Sequence, residues 1–375
     1  MRFLHLHSSF HAGGKELRAA KLINAFGHGV SHRIVSGQPG AFGAAAAIAE
    51  GPSVEYPADF PPLAGAPTLR RLRQLALAMA GYDLILTYNW GAMDAVMAHA
   101  LFGVHYKLPP LVHHEDGFNE DEAVRLKTSR NWYRRIALAR CAALVVPSRQ
   151  LEAIALQAWQ QPRTRVHRIV NGIDTGAYAR KPRRDALPGL IKRPGELWLG
   201  TLAGLRPVKN LPALVRAFSV LPEQWQLVIL GEGPERETIR DEALRLDLAH
   251  RVHLPGFAPD PARVVGLFDL FALSSRSEQF PISVVEAMAA GLAIAAPAVG
   301  DVADMVTQAN RPFVAAPGTE EALGLALLHL AEDQQLRRAI GAENQAKARA
   351  LFDLEAMVGA YRDVYAAAIG RPLPA

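Results

Sequence analysis

The chain of 375 residues holds one cysteine, Cys141, so an internal disulfide framework is excluded. Cys141 precedes Ala142, Ala143, Leu144 and Val145, the setting of an inert core thiol rather than a nucleophile. No run reaches the ~18 consecutive apolar residues of a membrane-crossing helix, and the alanine-rich stretch 287–299 is broken by Gly291 and Pro297. The opening residues 1–7 are too few and too polar for a signal h-region, so a cytoplasmic, reducing setting is expected. A Gly-x-Gly-x-x-Gly fingerprint is missing: neither Gly13-Gly14 nor Gly231-Glu232-Gly233 supplies one, which counts against a nicotinamide-dependent oxidoreductase. No Asp-x-Asp pair sits at a strand end, and the wider His-x-x-x-His spacing is absent from the His113-His114-Glu115-Asp116 cluster. Adjacent ligands such as His113 and His114 cannot comfortably share one ion, so no metal is expected. Basic strands interleaved with aromatics are also lacking, and nucleic acid is not the expected partner.

What is present describes a globular enzyme-sized chain. Half of the residues are hydrophobic and 21% are charged. The length suggests two domains, because one core seldom grows past ~250–300 residues. The net charge of +5 is unevenly spread: residues 1–180 hold 20 Lys and Arg against 13 Asp and Glu, and the remainder 21 against 23. The basic character of the first half fits an anionic substrate or an anionic membrane. A lipid- or nucleic-acid-binding module would explain that charge, but not the paired carboxylates described next.

Ser277-Glu278-Gln279-Phe280-Pro281-Ile282-Ser283-Val284-Val285-Glu286 runs on into Ala-Met-Ala-Ala-Gly291. An apolar strand, 267–273, precedes it. Pro281 suits the first position of a helix, Gly291 its stop, and 292–297 the next strand. Strand, loop, helix, strand puts the loop at the carboxyl end of a parallel sheet, where open α/β folds bind ligands. The first-turn N–H groups of Ile282, Ser283 and Val284 would form an anion site there. Glu278 lies in the loop. Glu286 lies one turn in, on a helix apolar nearly all round, with no cation at i±3 or i±4. A buried carboxylate of that kind needs a partner, and a ligand hydroxyl would serve.

Glu278 and Glu286 with seven residues between them, followed by Ala-Met-Ala-Ala-Gly291, resemble the signature of the retaining, family 4-type (group 1) glycosyltransferases of the GT-B fold. The resemblance implies an α/β chain of two Rossmann-like domains facing across a cleft, with the helix capped by Asp353 crossing back to the first domain. The expected limits are 1–180 for an acceptor-side domain, 181–352 for a nucleotide-sugar domain and 353–375 for the returning helix. Pro147-Ser148 and Asn171-Gly172-Ile173-Asp174 look like the family's entry to the linker, and 181–195 has a linker's Pro-rich, polar composition. By resemblance Glu278 touches the donor sugar, Glu286 holds the ribose, and the backbone of Phe280, Pro281, Ile282 and Ser283 holds the diphosphate. Gly13 and Gly14 form a loop facing the donor phosphate and the acceptor. A histidine ending the strand at 109–112 contacts the sugar, and either His113 or His114 fills that part. Arg206 and Lys209 suit the diphosphate. The family's Gly-Arg-Leu-x-x-x-Lys pattern places Gly204 where an arginine is expected, so Arg206 either compensates or does not. Backbone around Leu254 and Pro255 reads the base.

The implied activity is a metal-independent, retaining, hexosyltransferase-type transfer from a UDP- or GDP-sugar to a glycan or lipid-linked acceptor in polysaccharide biosynthesis. No cofactor is expected beyond the nucleotide sugar. An epimerase or a phosphorylase of the same fold is the neighbouring alternative, though no pyridoxal lysine site can be placed. Asn89 and Trp90, at the end of the strand 82–88, are candidates for the acceptor side, or else a capping Asn and a packing Trp. Residues 124–140 read as a basic helix with Trp132 and Tyr133 among its cations, suited to the inner face of an anionic membrane or to plain solvation.

Overall fold

The computed structural model describes residues 1–118, 122, 125–315 and 319–374. It divides into two compact units: residues 1–170 with 357–374, and Asn171–Ala356. The first division falls after Val170, ahead of the expected 180. Residues 171–178 pack within the second unit, where the short helix Thr175–Tyr178 lies against the helix Ile282–Ala289.

Among the described residues the first unit holds a seven-stranded parallel sheet in the order β3-β2-β1-β4-β5-β6-β7. Its strands are β1 (Arg2–His7), β2 (Ser31–Ser36), β3 (Ser53–Glu55), β4 (Leu84–Tyr88), β5 (Leu111–His114), β6 (Ala143–Val146) and β7 (Val166–Arg168). β1, β4, β5 and β6 are buried almost throughout, as expected of parallel strands covered on both faces. Helices Gly14–Phe26, Leu69–Ala78, Met93–Phe102, Thr128–Ala137 and Arg149–Gln157 supply the cover. Two of them start on side-chain caps: Thr68 accepts from the Arg71 N–H, and Ser148 from the Leu151 N–H, the latter as its sequence predicts. β3, three residues at a sheet edge with only Val54 partly buried, carries little apolar signal in the sequence. Cys141 is buried, and burial pushes its thiol up to about 12. The last helix, Leu354–Ile369, returns to this unit, where Tyr361 and Tyr365 are buried against it.

The second unit holds a six-stranded parallel sheet in the order β10-β9-β8-β11-β12-β13. These are β8 (Leu197–Leu202), β9 (Trp225–Leu230), β10 (Val252–Gly256), β11 (Leu270–Ala272), β12 (Ile294–Pro297) and β13 (Val314–Ala315). Helices Leu211–Phe218, Arg236–Arg245, Ile282–Ala289, Glu320–Glu332 and Gln334–Leu351 pack on it. β11 is shorter than the apolar run that predicts it, because Val265–Leu267 forms a 3-10 turn instead. In each unit the strand order reverses beside its first strand, between β1 and β4 and between β8 and β11. Loops at the carboxyl ends of those strands therefore splay apart and leave room for a ligand.

Candidate functional site

In the second unit the two loops at the reversal are stitched together. The Arg276 N–H donates to the Val208 carbonyl at 2.8 Å, and Ser274 Oγ to the Lys209 carbonyl at 2.9 Å. This places Lys209 Nζ 2.5 Å from Glu278 Oε1, and Ser275 Oγ donates to the same oxygen at 2.6 Å. The two residues expected to hold opposite ends of a donor thus hold each other. A third loop braces them. Gly300, at φ +54°, lies so close that a Cβ there would sit 2.5 Å from the Glu278 carbonyl oxygen, and the Asp301 N–H donates to the Gln279 carbonyl at 3.0 Å. Only glycine meets both demands.

The helix Ile282–Ala289 begins one residue later than expected. Pro281 is its N-cap, with φ −68° and ψ 112°. The Val284 N–H is not free, since it donates to the Pro281 carbonyl at 3.1 Å. Ile282 and Ser283 keep first-turn amides with no acceptor within the helix. Its end follows the sequence: Gly291 is left-handed at φ +79°, with Gly291 N–H bonded to Met288 O and Leu292 N–H to Ala287 O. That pair of bonds is a Schellman motif. The Phe280 side chain turns into the unit, edge-on to Phe352 at 5.5 Å, so only its backbone is available to a ligand. Glu286 is half-buried and its partner is protein: Tyr178 Oη donates to Oε1 at 2.6 Å. Burial, then the Glu286 carboxylate, push the Tyr178 hydroxyl well above its usual range, so it stays a donor. Sequence spacing could not reveal a partner 108 residues away.

Arg206 is exposed and caps the turn Pro207–Lys209, with its Nε beside the space where a Gly204 side chain would lie. Its guanidinium thus lies beside Gly204, the position where the family pattern places an arginine. At Leu254 and Pro255, expected to read the base, the Leu254 carbonyl accepts from Arg236 at 2.6 Å, and Pro255 has no N–H.

In the first unit, Gly13 caps the helix Gly14–Phe26. The buried Glu16 carboxylate folds back over Gly13, where a Cβ would meet Oε2 at 2.7 Å, and Lys15 pairs with it. The loop thus carries its own anion beside the glycines. His113 and His114 are both fully buried and point to opposite faces. His114 Nδ1 lies 3.1 Å from the Thr87 carbonyl, which can only accept, so Nδ1 carries the proton and Nε2 accepts from Tyr365 Oη at 2.9 Å. Burial, then Arg18, lower His114 to about 3, so it is neutral. His113 Nδ1 lies 2.8 Å from Thr87 Oγ1, and its Nε2 is buried without a hydrogen-bond partner, 3.7 Å from Glu115. Around His114 lies a group of rings that the sequence did not announce. His7 stacks on Tyr88 at 3.9 Å, Tyr88 on His114 at 4.6 Å, and His5 Nε2 lies 2.9 Å from His32 Nδ1. Arg18 forms a two-pronged bond to Asp116. Burial alone would raise the Asp116 carboxyl, but Arg18 outweighs it and holds the group below its usual range.

Asn89 and Trp90 each make contacts within this unit. Asn89, at φ +54°, accepts the Asp116 N–H on Oδ1 at 2.8 Å. Trp90 is stacked by Arg130 and Arg134 at 4.8 and 4.9 Å. The expected basic helix is correspondingly different. Val124 lies outside the described residues, the helix runs Thr128–Ala137, and two of its cations turn inward. Arg134 is fully buried, bonded to both oxygens of Glu122 and ringed by Trp90, Phe118 and Trp159, with Glu115 at 3.3 Å. Trp132 and Ile136 are left 57% and 54% exposed, with Arg135 stacked on Trp132. Among the described residues no helix is long and apolar enough to cross a membrane, and no three His, Cys, Asp or Glu side chains converge as a metal site.

A doubly wound pair of units with two glutamates at a helix N-terminus defines a class, and comparison with known proteins gives it a name. The family described as glycosyl transferases group 1 matches residues 188–347, and glycosyltransferase family 4 matches residues 12–177. The chain belongs to the group 1 glycosyltransferases of the GT-B fold. It is similar to the N-acetyl-alpha-D-glucosaminyl L-malate synthase of Bacillus anthracis, 24% identical over 207 residues that cover 55% of this chain and 54% of that protein. It is similar also to the putative glycosyltransferase EpsF of Bacillus subtilis (strain 168), 30% identical over 181 residues covering 44% and 47%. The chain therefore matches about half the length of these curated relatives. Among solved structures, Anabaena HepE in complex with UDP superposes with a TM-score of 0.80 at 22% identity, covering 97% of this chain and 99% of that one. Sucrose-phosphate synthase from Thermosynechococcus elongatus does so with 0.75 at 21% identity, covering 98% and 100%. These likenesses establish the two-unit, parallel-sheet GT-B architecture.

Proposed function

We propose that this protein is a retaining glycosyltransferase that moves a hexosyl group from a UDP- or GDP-sugar to a glycan or lipid-linked acceptor in polysaccharide assembly. The observation that carries the reading is the convergence of Lys209, Glu278 and the amide-bearing start of helix Ile282–Ala289 at the strand reversal of the second unit. A helix N-terminus with a lysine beside it suits a diphosphate. The negative charge that grows as the sugar departs would be met by Lys209, by the Ile282 and Ser283 amides and by Arg206, with no metal required. An arriving diphosphate would compete for Lys209 and release Glu278 to orient sugar hydroxyls, while Ser275 keeps that carboxylate in register. The bond from C1 to the phosphate oxygen breaks, the bond from C1 to the acceptor oxygen forms on the same face, and the acceptor proton passes to the leaving phosphate.

Peripheral binding at an anionic membrane belongs to the same proposal, through the exposed Trp132 and Ile136 with Arg135 between them. The deciding experiment is a calorimetric titration of UDP, GDP, ADP, TDP and NAD in EDTA on wild type and Glu286→Ala. Metal-free binding of one nucleoside diphosphate, lost in the variant, is expected. Binding of NAD alone, or unchanged affinity in Glu286→Ala, refutes the assignment.

A further inference from the structure

The tyrosine bonded to Glu286 sits on a segment built to hold it still. Asn171-Gly172-Ile173-Asp174 leads into the one-turn helix Thr175–Tyr178, whose start is capped by Asp174 Oδ1 accepting the Ala177 N–H at 3.0 Å. That turn is tied to a distant stretch of the same unit. Ile173 N–H donates to the Phe352 carbonyl at 3.0 Å, Leu354 N–H returns to the Ile173 carbonyl at 2.9 Å, and Thr175 Oγ1 donates to Asp353 Oδ2 at 3.2 Å. Phe352 in turn packs edge-on against Phe280 in the loop before the glutamate's helix. The Tyr178 ring is 8% exposed. The last torsion of a glutamate is intrinsically broad, and its two oxygens are equivalent acceptors.

We propose that Tyr178 is a positioning residue for Glu286: its hydroxyl fixes one carboxylate oxygen and thereby presents the other to a hydroxyl of the nucleotide's ribose. The inference rests on Glu286 being the ribose ligand, as in the proposed function. With Tyr178 present, the carboxylate is ordered before the ligand arrives, and binding does not bear that ordering cost. Tyr178→Phe keeps the buried ring and removes only the donor. Ordering one such side chain is worth roughly a 3- to 10-fold change in affinity.

The test is a calorimetric cycle with UDP and GDP, each alongside its 2′,3′-dideoxy analogue, on wild type, Tyr178→Phe, Glu286→Ala and the double variant. Tyr178→Phe should weaken the ribose-bearing nucleotide by roughly 3- to 10-fold and leave the dideoxy analogue unchanged. In the Glu286→Ala background it should have no further effect. With donor sugar, KM should rise by more than kcat falls. A merely structural tyrosine would weaken both nucleotides alike and would act equally in the Glu286→Ala background; either result, or an unchanged affinity for the ribose-bearing nucleotide, overturns the inference while leaving the proposed function standing. Wild type that binds no nucleoside diphosphate, or Glu286→Ala that binds like wild type, refutes the proposed function itself, and this inference with it.

Discussion

Lowering the pH from 7 to 5 should destabilise the first unit by several kcal/mol while sparing the second. His5, His7, His32 and His114 are buried together, and burial is the leading cause that lowers each of them, to about 4 for His32 and about 3 for His114. In the unfolded chain each titrates near ~6.5. A folded value below the unfolded one means that the unfolded state binds the extra proton. Stability is therefore complete above ~6.5 and falls as the pH drops toward the folded values, by about 1.4 kcal/mol per unit per histidine. Between pH 7 and 5 that amounts to about 2 kcal/mol for each of His32 and His114, with His5 and His7 acting in the same direction, against a typical total of ~5–15 kcal/mol. Carboxylates held low by ion pairs, such as Asp116, lose their contribution only below this window. The assay is hydrogen exchange at pH 7, 6 and 5, corrected for intrinsic rates, comparing amides of β1, β4 and β5 with those of β8 and β9. Protection in the first set should collapse while the second set holds. A loss below ~2 kcal/mol in the first set, the contribution of a single histidine, would refute the picture of four rings held neutral together.

Other consequences are equally open to measurement. Arg134→Met should destabilise the first unit by about 3–5 kcal/mol in urea unfolding, because it takes the guanidinium away from the buried Glu115 carboxylate and leaves Glu122 with Arg130 as its cation; a change under ~1 kcal/mol would mean that the aromatic ring of neighbours, not the ion pair, holds the helix. Gly300→Ala should abolish sugar transfer with little change in circular dichroism, since its Cβ would drive into the Glu278 carbonyl; retained activity would show that the brace is dispensable. Replacing Trp132 and Ile136 together by Ala should reduce cosedimentation with phosphatidylglycerol vesicles and leave nucleotide binding intact; unchanged vesicle binding would remove this face from the membrane reading.

The parallel-sheet architecture was legible because most inner strands of the two sheets are short apolar runs ended by polar or glycine residues. The motif from Ser277 to Gly291 announced a loop, a helix and a stop, and the structure supplies all three. What sequence could not supply was contact at a distance. Glu286 reads as a buried carboxylate wanting a partner, but Tyr178 meets it only after folding. Lys209 and Glu278 read as separate ligands of one donor, and their mutual bond depends on two loops being stitched side by side. The basic helix misled because cation spacing along a helix says which residues share a face, not which face is turned inward. Arg134 lies inside because Glu122, Trp90 and Trp159 wait for it there. The histidines of β1 and β5 gave no warning of burial, since histidine in a strand is compatible with either environment.

The return of the last helix to the first unit has a consequence for biosynthesis. Tyr361 and Tyr365 complete the core that surrounds His114 and Phe3, yet they are separated from β1 and β5 by the whole second unit. On the ribosome, residues 1–170 must wait for some two hundred more before their histidines and rings can be closed off from water. The second unit, continuous from 171 to 356, is free to fold as soon as it emerges. The nascent first unit is thus the stretch that a chaperone would need to shelter.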